Sequence, residues 1–249
     1  MNAWALVVEP QGRSGPINMG VDAALLALAR KGGAFLRLYR WDPPCLSFGR
    51  NEPATRRYDR AAITTRALDT VRRPTGGRAV WHDTEVTYAV AAPIARFGSL
   101  PETYRAIHEV LAQAVTSLGA HATLAPRVRA PRPDAGACFA SPVGGEVLAQ
   151  ERKVIGSAQV RDGTAFLQHG SILIENRQQR VAELTVGGAD APPAAGLDEI
   201  MGRVPTFSEV VEAIAGAAQS AWGGPWTRET PPEPRTPNPF ADPSWTWRR

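Results

Sequence analysis

Cys138 is the side chain of this 249-residue chain best suited to covalent chemistry. A free cysteine has a pKa near ~8.5, so about a few per cent of it is thiolate at neutral pH unless a neighbour assists. Within the motif-bearing segments, Lys153, His82 and His169 are the groups able to lower that pKa or take the proton. A lone cysteine is more often an inert core residue. Cys45 fits that description inside the apolar strand pattern Cys45-Leu46-Ser47-Phe48. Cys138 does not, because it follows a Pro/Arg segment and precedes Phe139-Ala140-Ser141-Pro142, where no strand alternation holds it in a core. A second chemical stretch runs from Arg72 to Asp83 and carries an arginine pair, a hydroxyl, a glycine pair and an imidazole. Adjacent glycines let a ligand approach the backbone closely, and arginines beside such a turn suit a polar or anionic group. The same residues fit a tight, solvated hairpin with a charged edge.

The elements that must position these groups follow from periodicity and punctuation. Residues 4–8 read as a strand, and Asn18 caps an apolar helix that runs to Ala29 and stops at Gly32-Gly33. Residues 35–40 alternate apolar with polar, as a half-buried strand does. Short strands are expected at 45–48 and 70–73, with a helix between them at 60–66. Residues 85–90 form the strand that follows the glycine turn. Residues 101–118 make an amphipathic helix with Pro101 in its first turn and Tyr104, Ile107, Leu111, Val115 and Leu118 as its apolar stripe. Strands at 146–149, 153–161 and 165–174 come next, the last two joined by the Asp162-Gly163 hairpin signal. Residues 125–136 alternate Arg with Pro and are expected to be a lid or substrate-access loop. Residues 186–201 read as a Gly/Ala/Pro linker, and 206–222 as a helix capped by Thr206 or Ser208. From Gly223 the chain holds seven prolines with Trp226, Trp245 and Trp247, which excludes a regular helix. It is either an extended strap held by its tryptophans or disordered.

Composition narrows the class. At 43% hydrophobic the chain can bury one sizeable core. No apolar run of transmembrane length and no leader pattern is present, so a soluble cytoplasmic protein is expected. Two cysteines make neither a disulfide framework nor a metal-type spacing. The charge of +4 comes without a Lys/Arg stripe and interleaved aromatics, so no nucleic-acid partner is expected. Walker-type loops and Gly-x-Ser-x-Gly elbows are missing, which leaves common nucleotide hydrolases and serine esterases without a foothold.

Five segments in chain order carry a resemblance: Asn18 to Asp22, Leu46 to Asn51, Arg72-Arg73-Pro74-Thr75-Gly76-Gly77-Arg78-Ala79-Val80-Trp81-His82, Lys153-Val154-Ile155-Gly156-Ser157-Ala158-Gln159, and Gln168-His169-Gly170-Ser171. Together they resemble the lipoate/biotin protein ligase superfamily over roughly residues 1–222. The resemblance implies an α/β (α+β) fold, with mixed and antiparallel central sheets flanked by helices. It implies one catalytic domain over 1–222, followed by a Pro/Trp-rich tail over 223–249. The Ala137-Cys138-Phe139-Ala140-Ser141-Pro142 segment, and Gly76-Gly77-Arg78 where ligases have three glycines, are similar to the LipM type of octanoyltransferase. That likeness implies Cys138 as the acyl-carrying nucleophile and Lys153 as its catalytic partner. It places Arg73, Thr75, Gly76, Gly77, Arg78, His82, Gly156, Ser157, Ala158, His169 and Gly170 around the substrate. Val80, Val90, Phe139 and Ile155 are candidates to line an acyl tunnel. Octanoyl-acyl carrier protein would be the donor, and a lipoyl domain or glycine-cleavage H protein the acceptor. No cofactor or metal is implied, and a monomer is expected.

Two rivals remain. An ATP-dependent lipoate-protein ligase, using ATP and Mg, would place Arg73, Gly76 and Gly77 around phosphate and would not need Cys138. The Gly144-Gly145-Glu146 segment, where ligases usually have Asn-Asp, counts against it. A non-catalytic acyl-binding protein is the reading from another class.

Overall fold

The computed structural model describes residues 3–125, 145–189 and 193–248. Cys138, Phe139 and all of the Arg/Pro segment but Ala125 lie outside the described residues. The first half runs β1 (Trp4–Arg13), α1 (Gly15–Ala29), β2 (Phe35–Trp41), β3 (Cys45–Phe48), α2 (Ala54–Arg57), α3 (Arg60–Thr65), β4 (Asp69–Arg72), β5 (Val80–His82), β6 (Glu85–Pro93), α4 (Leu100–Ser117) and β7 (Ala122–Leu124). The second half runs β8 (Val147–Ala149), β9 (Arg152–Lys153), β10 (Ile155–Asp162), β11 (Ala165–Leu173), α5 (Gln179–Glu183), α6 (Leu197–Met201), α7 (Phe207–Trp222), β12 (Trp226–Arg228) and α8 (Pro243–Thr246).

Six strands form the central sheet in the order β10-β11-β6-β2-β1-β12. β1 runs parallel to β2 and β12, and the β2–β6, β6–β11 and β10–β11 pairs are antiparallel. Helices cover both faces, as the α/β expectation required. Leu36, Leu38, Tyr88 and Val90 face α4 and α7 through Ile107, Leu111, Val210 and Ile214. Phe35, Tyr39, Ala89 and Leu167 face α1 through Met19, Val21 and Leu25. Two three-stranded sheets, β4-β3-β5 and β7-β8-β9, flank the site.

The long helices follow their sequence signals. Ser99 and Glu102 form a capping box at the start of α4, and Thr206 and Glu209 form one at α7. Three expectations change. Helix α1 starts at Gly15 after Ser14, with Asp69 Oδ2 accepting from Gly15 N at 2.7 Å, so Asn18 is inside the helix and does not cap it. Strand β2 is buried on both faces because it sits mid-sheet between two helical layers, and its Arg37 is fully buried. The 186–201 stretch contains α6, and Ala194, Ala195 and Leu197 are buried.

Of the two readings of the tail, the strap forms. β12 extends the sheet beside β1, and Trp226 stacks on Trp4 at 5.4 Å. Trp247 meets Phe48 edge-on at 5.1 Å, and Trp245 Nε1 donates to Arg72 O at 3.0 Å.

Candidate active site

The glycine turn links β4 to β5 and is shaped from behind. Gly77 has φ +88°, the left-handed region that glycine alone enters freely. At Gly49, just after β3, an added Cβ would overlap Gly77 O, so the end of β3 lies flat against the turn. At Gly76 the Cβ direction meets nothing within 4 Å, so the backbone there is open to a ligand. Arg73 donates to Ser47 O (2.9 Å), Gly76 O (3.2 Å) and Arg78 O (2.8 Å), and to Ser47 Oγ. Arg72 is fully buried and donates to the carbonyls of Gly49, Glu52, Trp245, Thr246 and Arg248. The arginine pair therefore braces the turn rather than projecting both guanidinium groups into solvent.

Two buried histidines, His82 and His169, line the cleft beside this turn, and a third, His108, lies on α4 over the other face of the sheet; each bridges an oxygen acceptor and a hydroxyl. His169 Nδ1 meets Asp22 Oδ2 at 2.8 Å, and its Nε2 meets Thr75 Oγ1 at 2.7 Å. His82 Nδ1 meets Glu85 Oε1 at 2.8 Å, and its Nε2 meets Ser47 Oγ at 2.6 Å. His82 thus reaches the glycine turn through Ser47 and Arg73. His108 Nδ1 meets Gly145 O at 2.6 Å, and its Nε2 meets Ser157 Oγ at 2.7 Å.

The electrostatics differ among the three. Burial pushes the Asp22 carboxyl up, but hydrogen bonding from His169 and the Arg37 guanidinium (Nη1 to Oδ1, 2.7 Å) bring it below its ordinary value. Burial holds His82 below its usual pKa despite the neighbouring Glu85. Burial also lowers His108 to about 4, opposed by the bond to Gly145 O and assisted by the charge of Lys153.

Lys153 is 2% exposed, and its Nζ donates to Glu146 Oε1 at 2.6 Å. Its backbone is paired with β8 on one side and bridges Ala194 on the other. Cys45 is buried in β3, where desolvation raises its thiol well above the ordinary pKa and makes it a poor nucleophile.

The cleft is partly open to solvent, and its cavity volume is small, about 20 Å³. Met19, Tyr39, Trp41 and Val80 supply apolar wall, and Arg73, His82, Gly156, Ser157, Ala158, His169 and Gly170 share it. Its polar side chains bond among themselves and to the protein. Tyr39 Oη donates to Asp22, Trp41 Nε1 to Thr87 Oγ1, and both Thr87 and Ser171 to Glu85. The surface left to a ligand is therefore mostly carbon. At Gly170 an added Cβ would overlap Gly156 O, so this glycine keeps β10 and β11 close beside the cleft. Val90 and Ile155 belong to the core under α4, not to the wall, because they point to the opposite face of the sheet. Among the described residues no three His, Cys, Asp or Glu side chains are grouped to hold a metal ion. No described helix is long and apolar enough to cross a membrane.

Asp22, Glu85, Glu146 and His108 are contributors that the residue pattern did not single out as site groups. A signal existed for His108, which is four residues from Tyr104 and interrupts the apolar face of α4 with an imidazole.

Comparison with known proteins agrees with this architecture. A lipoate-protein ligase A bound with ATP superposes with a TM-score of 0.81 at 18% identity, covering 99% of both chains. A bi-partite lipoate protein ligase of Thermoplasma acidophilum, described with its E2 lipoyl domain, superposes with a TM-score of 0.76 at 17% identity, covering 99% of this chain and 96% of that one. In sequence, the octanoyltransferase LipM of Kyrpidia tusciae is 42% identical over 185 residues, 70% of this chain and 67% of the relative. That of Moorella thermoacetica is 36% identical over 218 residues, 80% of each. Residues 14–219 match the lipoyl protein ligase A/B catalytic domain, and the chain belongs to that family.

Proposed function

We propose that the chain is an octanoyltransferase of protein lipoylation. Its donor is octanoyl-acyl carrier protein, and its acceptor is the lysine of a lipoyl domain or of glycine-cleavage H protein. The observation that carries this reading is the cleft beside the glycine turn, whose polar side chains bond to one another and so leave a mostly apolar surface. The identity to octanoyltransferases supports it.

In the first half-reaction the Cys138 thiolate attacks the carbonyl carbon of the donor thioester. The carbon–sulfur bond to the carrier breaks, and the carrier thiol leaves with a proton. In the second, the acceptor lysine amine attacks the Cys138 thioester, an amide forms, and the thiol is restored. Splitting the transfer in this way makes each step easier. Because the donor is already a thioester, no nucleotide is consumed. Lys153, oriented by Glu146, supplies positive charge for the thiolate or for the developing oxyanion. Backbone N–H groups of the open Gly76-Gly77 turn and of Gly156 add donors to that oxyanion. Arg73, Thr75, Arg78, His82, Ala158, His169 and Gly170 shape the surrounding wall.

The test is incubation with octanoyl-acyl carrier protein without ATP, followed by intact-mass spectrometry. A hydroxylamine-labile octanoyl adduct that is lost in Cys138→Ala is expected. Labelling and transfer that persist in Cys138→Ala would sink the covalent mechanism. Strict ATP dependence with free octanoate would establish a ligase instead.

A further inference from the structure

The charge of this chain is unevenly spread. Residues 50–78 hold eight arginines, no lysine and three carboxylates, a surplus larger than the +4 of the whole chain. All three carboxylates are occupied within the fold. Glu52 accepts from Gly49 N and Tyr58 Oη, Asp59 caps α3 at Ala62 N, and Asp69 accepts from Gly15 N. Arg72 and Arg73 are buried in the brace of the glycine turn, and Arg66 pairs with Glu183. Arg50, Arg56 and Arg60 are exposed, and Arg57 is half-buried. Among the described residues none of these four is in an ion pair, whereas Arg30, Arg105 and Arg203, also exposed, each meet a carboxylate.

The four lie in one patch that borders the glycine turn. Arg60 sits 4.9 Å over the Trp247 ring, Trp247 meets Phe48, and Phe48 stacks on Tyr58 at 5.2 Å. The positive charge of Arg57 is felt at the Tyr58 hydroxyl, together with that of Arg78 from the turn. Arg50 N donates to Thr75 O at 2.8 Å, and Arg50 O accepts from Arg248 Nη2 at 3.1 Å. Yet the cleft wall includes none of the four. Guanidinium groups crowded together without acids repel one another, and their planar forks match carboxylates and phosphates supplied from outside.

We propose that this arginine patch is the docking surface for the acidic protein that carries the acyl donor. The inference rests on the octanoyltransferase reading. A carrier presents its thioester on a long arm joined to the protein by a phosphodiester, so its body can seat on a surface set back from the cleft. The acceptor has only a lysine side chain to span that gap, and its backbone must come to the mouth itself. A patch beside the turn but outside the cleft wall fits the carrier. The forks of Arg50, Arg56, Arg57 and Arg60 meet its carboxylates and the phosphodiester of its arm.

Binding is measured directly, apart from turnover, by titrating the full-length protein with octanoyl-acyl carrier protein and, separately, with a lipoyl domain. The triple variant Arg50→Glu, Arg56→Glu, Arg60→Glu should weaken carrier binding on the order of tenfold or more at low salt, and most of the salt dependence should disappear. Lipoyl-domain binding should change on the order of twofold or less. Lysine at the same three positions keeps the charge and should restore most of the affinity, and Arg105→Glu on α4 should leave it unchanged. If the triple variant fails to fold, Arg56→Glu alone is read, with a loss on the order of threefold. Wild-type carrier affinity in the folded glutamate variant overturns the proposal. So does a loss confined to the lipoyl domain, which would assign the patch to the acceptor, or an equal loss for both partners. A wild type that binds the carrier through this patch but never octanoylates a lipoyl domain overturns the octanoyltransferase reading and leaves the docking surface standing.

Discussion

The glycine-turn side of the cleft and the sheet face under α4 use the same device, an imidazole bridging an acceptor and a hydroxyl, in different charge environments. On the glycine-turn side, His169 and His82 lean on the carboxylates of Asp22 and Glu85. On the β10 side, His108 leans on a neutral carbonyl, Gly145 O, with the cationic Lys153 nearby. A carboxylate partner favours positive charge on an imidazole, though burial still holds His82 below its ordinary value; at His108 burial, helped by the nearby cation, outweighs the pull of the carbonyl. The first is suited to fixing the turn, and the second to holding the Ser157 hydroxyl between α4 and Tyr88. One hydrogen-bond pattern serves two tasks because its terminal partner differs.

The largest effect should come from the carboxylate side. Asp22→Ala removes the acceptor of His169 and leaves the fully buried Arg37 guanidinium short of a partner. A loss of about 3 kcal/mol or more is expected, seen as a lower urea midpoint. An unchanged midpoint would show that Glu9, which also pairs with Arg37, suffices alone.

On the carbonyl side the comparison is read through pH. His108 has a folded pKa of about 4 against an ordinary 6.5, so between these values the unfolded state binds more protons. Stability therefore falls as pH drops through that window, by about 3 kcal/mol from this residue. His108→Gln should flatten this slope in urea titrations between pH 7 and 4, and an unaltered slope would contradict the neutral, buried assignment. His82 is shifted in the same direction, by burial, and should retain its own share of the slope.

A smaller effect tests how tightly the turn is braced. Gly49→Ala places a methyl where Gly77 O lies, at a cost of about 1–3 kcal/mol. Acyl transfer should fall further than stability, because the turn must move. Comparable losses would mean that the position of the turn is not critical. The smallest effect is expected far from both sides, at Arg105→Ala on exposed α4. Its pair with Glu109 should be worth less than about 0.5 kcal/mol, with no change in transfer rate.

Local signals gave much of this fold. The Ser99 and Thr206 caps, the 101–118 periodicity and the Asp162-Gly163 hairpin are each encoded within a few neighbouring residues. The start of α1 is invisible to local pattern because its capping carboxylate, Asp69, arrives from 54 residues away. Arg37 looked like the polar face of a half-buried strand, and only the position of β2 mid-sheet reveals that it is buried. The glycine turn and Lys153 were visible as motifs. The acid partners were not, because His169 meets Asp22 across 147 positions and His108 meets Ser157 across 49. Sequence spacing carries no trace of such pairings until strand order brings them together.

The grip of Arg72 on the tail bears on the order in which the enzyme is made. Its guanidinium is buried beneath the glycine turn, and several of its acceptors are carbonyls 173–176 residues later in the chain. On the ribosome, residues 14–219 emerge before those acceptors exist, and N-terminal parts fold first during synthesis. The turn thus gains its full support only after residues 245–248 have been synthesised and folded back. A nascent chain that has already formed most of its central sheet still lacks the full bracing of this turn.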